Sequence, residues 1–359
     1  MFMITNRHVD SNAPGLEKFA DKPNSEGPNE LRLAEVQRNA SGEWDAEILN
    51  NELSPQEKKA LGLPKSKPAF RSQYVADKLL KSTQSERRNL LLFVHGFNND
   101  VKAVLDRSEK LSTLYNLEVV PFSWPANGGG IKGVASYKSD KRDARASAGA
   151  LSRVFELTRN LLESMNEGRI KALHRKMARK FKDNDNEEER QIWFARENLR
   201  GCPYTVNLMC HSMGNYIFKQ VLSSSVYEGR RLLFDNVVLA AADVNNADHA
   251  IWVDQINCRR RTYIAINEDD SALLASRMKF GDEQLARLGH YPHNLNSNHA
   301  VYVDFTEAAE VDSSHAYFED AAVADENSQA YKFFRGALNG ERVERALRYD
   351  DANNLYRVR

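Results

Sequence analysis

The sequence predicts an α/β fold, with a mostly parallel, doubly wound sheet of about eight strands flanked by helices. Two continuous apolar runs, at residues 90–94 and 117–122, have the pattern of strands that are buried on both faces. A helical pattern at residues 101–114 lies between them. Strands that alternate with helices favour a parallel sheet, because each parallel connection crosses over one of its faces.

Similar patterns extend the sheet toward both ends of the chain. One strand should end just before Ser212, and further strands are predicted at residues 1–5, 31–37, 44–49, 236–241, 261–266 and 301–305. Helices are predicted at residues 140–166 and 327–338. We interpret residues 1–359 as a single domain that carries a charged helical insertion at 167–200 and a C-terminal helix and tail at 319–359.

Composition excludes several classes of function. Lys and Arg number 50, as do Asp and Glu, so the net charge is zero and nothing suggests a nucleic-acid partner. No apolar run approaches the roughly 20 residues that span a bilayer, and the N-terminus lacks the pattern of a signal peptide. Three cysteines at irregular spacing suggest neither a disulfide framework nor a zinc site. We therefore expect a soluble cytoplasmic protein without a metal or an organic cofactor.

Ser212 lies at the apex of a predicted strand–turn–helix segment, residues 204–220. Such a turn is tight, so the residues two before and two after the serine must be small. Gly214 meets this requirement fully, and Cys210 meets it approximately. The turn exposes the serine hydroxyl above the sheet edge, where the N–H groups of the next helix favour negative charge. Ser212 is therefore the candidate nucleophile.

A serine nucleophile needs a base to accept its proton and an acid to orient that base. Both should follow strand ends, because ligands and reacting groups of such sheets collect at the carboxyl ends of the strands. Asp270 follows the predicted strand 261–266, and His315 follows the strand 301–305. These two residues are the candidate acid and base.

Both assignments have rivals. Asp269 is adjacent to Asp270, and Asp243 is an alternative acid because it follows the strand 236–241. The rival bases are His290, His293 and His299. Of these, His299 precedes the last predicted strand, so it should lie at the sheet edge opposite Ser212.

The negative oxygen that forms during acyl transfer needs N–H donors. One should come from Met213, directly after the nucleophile, and we assign the other to Phe97, because Gly96 allows a sharp turn before it. Gly96, Trp124 and His211 are expected around the pocket, with Trp124 as either pocket wall or core. Larger walls should follow strand ends, at residues 125–140, 244–255 and 276–298.

Together these motifs resemble the α/β-hydrolase superfamily, and within it a bacterial branch of unknown function. The resemblance covers most of the chain, from Met1 to about Phe318. Its matching pieces are residues 5–7 (Thr-Asn-Arg), 95–98 (His-Gly-Phe-Asn), 123–125 (Ser-Trp-Pro), 211–215 (His-Ser-Met-Gly-Asn), 270–273 (Asp-Ser-Ala-Leu) and 315–317 (His-Ala-Tyr). The resemblance implies an α/β-hydrolase fold, a Ser212–Asp270–His315 triad in the chain order of that superfamily, and an esterase- or lipase-like activity. Cys210 stands where the family usually has Gly or Ala, and this departure is expected to reshape the turn slightly.

The resulting prediction is a serine hydrolase that cleaves a carboxylic ester or related acyl bond in a small-molecule or lipid substrate. Two alternatives stay open, a non-catalytic binding or scaffold protein on the same fold and an acyltransferase. The charged segment 167–200 should form two helices around a break. Because it precedes the strand of Ser212, it should join the sheet at the far edge, as an appendage or a surface for a protein partner rather than a lid.

Overall fold

The computed structural model describes residues 1–60, 63, 68–128, 137–182, 186–200, 205–224, 232–277, 286–320 and 323–359. The strands of these parts, β1 to β13, are Phe2–Thr5, Arg7–Val9, Phe19–Pro23, Arg32–Arg38, Trp44–Leu49, Asn89–Val94, Leu117–Ser123, Val206–His211, Phe234–Ala240, Cys258–Ile266, Ala300–Asp304, Arg348–Asp350 and Leu355–Arg357. The α-helices, α1 to α10, are Pro55–Ala60, Arg71–Glu86, Val101–Tyr115, Tyr137–Ala146, Ala148–Lys180, Glu187–Arg200, Gly214–Leu222, His249–Val253, Ser271–Arg277 and Gln329–Leu338.

Eleven of these strands form one sheet, in the order β12-β13-β11-β10-β9-β8-β6-β7-β1-β4-β5, and β2 pairs with β3. The eight strands from β13 to β1 run parallel, which confirms the predicted α/β architecture. The sheet is wider than predicted because antiparallel strands β4, β5 and β12 extend its two sides. We call the edge at which the parallel strands end the carboxyl edge, and the opposite one the amino edge.

The central strands alternate their side chains between two apolar layers. On β6, Leu92 and Val94 pack with residues of α5 and α7, whereas Leu91 and Phe93 pack into a second cluster that includes residues of α3 and α10. All four are buried. Burial on both faces explains why this strand reads as an uninterrupted apolar run.

The C-terminal tail is part of the sheet, which the sequence did not predict. Strand β13 pairs in parallel with β11, with Val303 opposite Tyr356, and β12 pairs with β13. Each of the two strands has three residues, too few for a side-chain alternation to be read from sequence. From the sequence, the end of 319–359 was described only as a tail, and no strand was predicted in it.

The predicted helix 140–166 differs from the structure at both ends. Helix α4 begins at Tyr137, the helix is interrupted at Ser147, and α5 then runs without interruption to Lys180. The first half of the charged segment is thus the end of the long helix α5, and the second half is helix α6. Met177 and Phe181 are buried, whereas Ile192 on α6 is 46% exposed.

The end of α5 and the whole of α6 form a hairpin that extends away from the carboxyl edge. Phe155, early in α5, already contacts Phe234 at the start of β9, which lies at the amino edge. The rest of α5, to Lys180, is roughly 37 Å long at 1.5 Å per residue. Within the hairpin, Trp193 packs on Phe181 and Phe194 stacks on His174. These contacts favour an appendage over a lid. None of the described helices is both long and apolar enough to cross a membrane.

Candidate active site

The turn between β8 and α7 holds Ser212 in a strained backbone conformation. Its φ is 53°, a left-handed value that costs energy for a residue with a side chain. The N–H of Ser212 donates to Ala240 O on the neighbouring strand β9 at 3.0 Å. The side-chain Nδ2 of Asn215 lies within 3.2 Å of the carbonyl oxygens of Cys210, Ser212 and Ala240, and it donates to all three, so it links both sides of the turn. The turn is therefore fixed from several directions.

The two small residues of the turn have different reasons to be small. A Cβ added to Gly214 would lie 2.5 Å from Val94 O and 2.8 Å from His95 O, so only glycine fits there. The side chain of Cys210 is fully buried in the apolar layer shared with Val94 and Leu239. Burial raises the pKa of the Cys210 thiol well above its usual value, so the thiol stays protonated.

His315 and Asp270 are in direct contact. His315 Nδ1 donates to Asp270 Oδ2 at 2.7 Å, and the carboxyl group is completely buried. Asp270 Oδ1 accepts from the N–H groups of Ala272 and Leu273 at the start of α9. With both oxygens engaged, the carboxylate holds the imidazole in one orientation and leaves Nε2 on the opposite side of the ring.

The loops that carry these two residues are tied together. The side chain of Asn267, just after β10, donates to Asp312 O at 2.8 Å and to Ser314 O at 3.3 Å. Ser271 donates to Ser313 O through its backbone N–H and its hydroxyl. The position of His315 therefore does not depend on the Asp270 bond alone.

His211 connects the Ser212 turn to the His315 loop. Its Nε2 donates to His315 O at 3.0 Å, and the two imidazole rings lie 4.7 Å apart between centroids. Burial, with the nearby His315 and Arg107 charges, holds the pKa of His211 well below its usual value. His211 is thus a neutral residue that joins two loops. Among the described residues, no hydrogen bond joins the Ser212 hydroxyl to His315 directly.

The loop after β6 approaches the serine closely. A Cβ on Gly96 would lie 2.7 Å from Ser212 Cβ and 3.2 Å from its Oγ, so the glycine permits this approach. His95 Nδ1 donates to Gly96 O at 2.7 Å, and His95 Nε2 accepts from Trp124 N–H at 3.1 Å. This arrangement requires a neutral imidazole, and burial together with the nearby Arg7 charge lowers the pKa of His95 well below normal.

Trp124 is a core residue. It is fully buried, its ring stacks on His95 at 5.2 Å, and its Nε1 donates to His95 O. Of the two interpretations offered by the sequence, pocket wall or core, the structure favours core. Phe97, in contrast, is only half-buried, and its ring meets Tyr137 edge-on at 5.4 Å.

The alternative acids have other surroundings. The carboxylate of Asp243 is buried in an ion pair with Arg287 at 3.2 Å and also accepts from Ser276 and Tyr137 hydroxyls. Asp269 is exposed.

The rival bases are also placed elsewhere. His293 and His299 are exposed, and His299 lies before β11, on the amino side. His290 is buried near Asp270, and burial lowers its pKa. Neither of its ring nitrogens bonds to another described residue.

The predicted pocket walls lie partly outside the described residues, at 129–136 and 278–285. What the structure does describe at the carboxyl edge is a serine on a strained turn, a bonded imidazole–carboxylate pair, and a glycine loop against the serine. In the described part of the chain, no three His, Cys, Asp or Glu side chains are grouped as metal ligands would be.

A protein-family model described as an alpha/beta hydrolase of unknown function (DUF900) matches residues 71–177 and 201–326, more than half of the sequence. The chain belongs to this family. The family match begins at residue 71, so it does not include residues 5–7, where the sequence also resembles α/β hydrolases. The match also leaves out residues 178–200 of the hairpin. Comparison of this α/β hydrolase with curated proteins and with solved structures found no match.

Two residues near this edge were not assigned a role from the sequence. Arg7 is fully buried and donates to three segments, at Asp21, at Asn99 and at residues 123–126, and Asn99 folds its side chain back onto the Gly96 loop. Most of their partners are backbone carbonyls, which leave no mark in a sequence. The available signal was position alone, since Arg7 is the last residue of the matching piece 5–7 and Asn99 directly follows the piece 95–98.

Proposed function

We propose that this α/β hydrolase is a serine hydrolase that cleaves a carboxylic ester or related acyl bond through Ser212, His315 and Asp270. The observation that carries the proposal is the 2.7 Å bond from His315 Nδ1 to Asp270 Oδ2, beside the turn that holds Ser212. The substrate class is a small-molecule or lipid ester.

In the first step, Ser212 Oγ attacks the acyl carbon while His315 Nε2 accepts the hydroxyl proton. Asp270 keeps the proton of the ring on Nδ1, so Nε2 is the basic nitrogen, and it stabilises the imidazolium that forms. The carbonyl oxygen becomes negative and is bound by the N–H groups of Phe97 and Met213. The missing Ser212–His315 bond fits a free enzyme, since catalytic hydrogen bonds often tighten only when substrate is bound.

In the second step, the intermediate expels the alcohol, which takes the proton from His315 Nε2 and leaves an ester on Ser212. Water then attacks this acyl-enzyme with His315 again as base, and the acid product is released. Asp243 is the weaker candidate for the acid, because its carboxylate is already held by Arg287.

A covalent probe tests the proposal most directly. A fluorophosphonate should label the wild-type protein, and Ser212→Ala should remove both labelling and hydrolysis of nitrophenyl esters, with kcat reduced at least about a thousandfold. The matched control is Ser108→Ala, since Ser108 is buried as Ser212 is, but its hydroxyl bonds within α3. Both variants should unfold at a temperature near that of the wild type.

The outcomes also separate the alternatives. A folded wild-type protein that is not labelled would point to a binding or scaffold protein. Labelling of Ser212 with esters formed from added alcohols, in preference to acids, would point to an acyltransferase. Acyl chains of increasing length in the nitrophenyl series would define the substrate class.

Two further expectations stay predictions. The hairpin, which includes most of segment 167–200, is proposed as a surface for a protein partner, supported by the exposed positions of Lys171, Arg175 and Arg179. A cytoplasmic location is proposed because Cys210 and Cys258 are free thiols, as is usual in a reducing compartment.

A further inference from the structure

Asn99 is a nearly buried side chain that faces back onto the loop next to Ser212. Its Nδ2 lies 2.7 Å from Phe97 O and 3.3 Å from Gly96 O, and it donates to both. Asn99 is only 9% exposed, and its other atoms are also held. Arg107 donates to Asn99 Oδ1 at 3.3 Å, and Arg7 donates to its backbone carbonyl at 3.0 Å.

The carbonyl of Gly96 determines the direction of the Phe97 N–H. Both belong to one planar trans peptide, in which the C=O and the N–H point in opposite directions. Gly96 O is held by His95 Nδ1 and Asn99 Nδ2. Any rotation of this peptide that turned the N–H away from its present direction would break these bonds.

The residues that hold Asn99 are themselves anchored. The buried guanidinium of Arg7 also donates to Ser123 Oγ at 3.0 Å and to Ala126 O at 3.2 Å, and pairs with Asp21 at 2.7 Å. Arg107 pairs with Glu319 at 2.6 Å, four residues after His315. A buried cation is costly unless its donors are used, so such a network is retained only where most of its bonds are formed.

We propose that Asn99 is a positioning residue of the oxyanion hole, which aims the Phe97 N–H at the reacting oxygen before substrate binds. It acts through the Gly96 and Phe97 carbonyls and does not touch substrate. Arg7 and Arg107 hold Asn99 in the required orientation. The inference rests on the proposed serine-hydrolase function, and it assigns roles to three residues outside the triad.

The test compares two buried asparagines with the same kind of bonding. Asn236, at the amino edge, is completely buried, and its Nδ2 donates to Ala337 O at 2.9 Å and to Glu341 O at 2.8 Å. Asn99→Leu and Asn236→Leu remove the same donors at opposite edges of the sheet. Asn99→Asp keeps the shape and the Arg107 contact but places a carboxylate against two carbonyls, and serves if the leucine variant does not fold.

For both Asn99 variants we expect kcat to fall about ten- to a hundredfold, because a misdirected oxyanion donor loses part of the hundred- to thousandfold that such a donor supplies. KM should change by less than about twofold. The inhibition constant of a trifluoromethyl ketone, which forms an oxyanion on the serine, should rise by the same factor as kcat falls. Asn236→Leu should lower the unfolding temperature and leave all three values unchanged.

The inference is overturned if folded Asn99 variants keep kcat and inhibitor affinity, or if Asn236→Leu reduces them equally. A wild-type protein that the fluorophosphonate does not label would remove the proposed function instead. The two failures are therefore distinguishable.

Discussion

The two edges of the sheet both contain buried polar groups, but they use them differently. At the amino edge, Glu344 accepts from Arg261 and from Tyr263, each at 2.6 Å. Asn236 donates to two carbonyls and accepts from Arg261 N–H. Every polar atom of the Glu344 and Asn236 side chains is paired, and the bonds join the C-terminal segment to the sheet. The buried polar groups of the amino edge therefore stabilise the fold.

The carboxyl edge keeps groups that are unpaired or strained. His211 Nδ1 and both ring nitrogens of His290 have no partner among the described residues. Asn98, Ser212 and Ala241, at the ends of β6, β8 and β9, have φ values of 56°, 53° and 44°. Arg87 and Asn116 have similar φ values, but they are C-caps of α2 and α3, where that conformation is common. Strain and unused bonding capacity coincide at this edge, and they support the reaction site that we propose there.

After Ser212→Ala, the largest effect on activity should come from the proposed acid, Asp270, which would orient the base. Asp270→Asn should lower kcat by about 10⁴, because an amide favours the wrong tautomer of His315. Asp243→Asn should behave in the opposite way. It breaks a buried ion pair with Arg287, so stability should fall by about 3–5 kcal/mol while kcat per folded molecule is retained. Ester hydrolysis and denaturant unfolding of both variants measure this difference.

Loss of activity in Asp243→Asn, with Asp270→Asn still active, would reverse the assignment of the acid. It would also mean that the ion pair with Arg287 opens during catalysis.

Alanine substitutions at two glycines, Gly96 at the carboxyl edge and Gly168 in the hairpin, should have opposite kinds of effect. In Gly96→Ala, the new methyl would lie 2.7 Å from Ser212 Cβ, so the loop must move and kcat should fall by about a hundredfold or more. Gly168, within α5, has no atom within 4 Å of an added Cβ. Gly168→Ala should therefore raise the free energy of unfolding by about 0.8–1 kcal/mol without changing kcat.

Measurements of kcat and of thermal unfolding for the two variants test these two expectations. An active Gly96→Ala protein would show that the loop tolerates displacement, and the close approach would then have no catalytic meaning.

The buried strands could be predicted from sequence because their signal is local. The apolar runs 90–94 and 117–122 correspond to β6 and β7 within one residue at each end. Strands β2, β3, β12 and β13 were missed because they have only three to five residues, too few for an alternating pattern to be read. The charged end of α5 was predicted to be helical, but its continuity with the preceding helix was missed, because the residue pattern changes there from partly apolar to charged.

The candidate site shows the same division. Ser212, Asp270 and His315 could be named because each follows a predicted strand, and strand ends share an edge. The roles proposed for Asn99 and Arg7 could not be named, because they depend on bonds to backbone carbonyls and, for Arg7, on Ser123, more than 100 positions away. Contacts of this kind have no local pattern and are found only in three dimensions.

Acid should weaken the carboxyl edge through its buried imidazoles. Burial, together with the neighbouring His315 and Arg107, lowers the pKa of His211, so the folded protein binds this proton less readily than the unfolded chain does. The stability that depends on neutral His211 is complete above about pH 6.5, the usual value, and is lost as pH falls through the window below it. In that window one such group contributes a slope of about 1.4 kcal/mol per pH unit.

Denaturant unfolding between pH 7.5 and 5 should therefore give a shallower pH dependence for His211→Asn than for the wild type. His299→Gln, which changes an exposed histidine before β11, should keep the wild-type slope. Equal slopes in all three proteins would mean that His211 takes up its proton in the folded state as easily as in the unfolded chain.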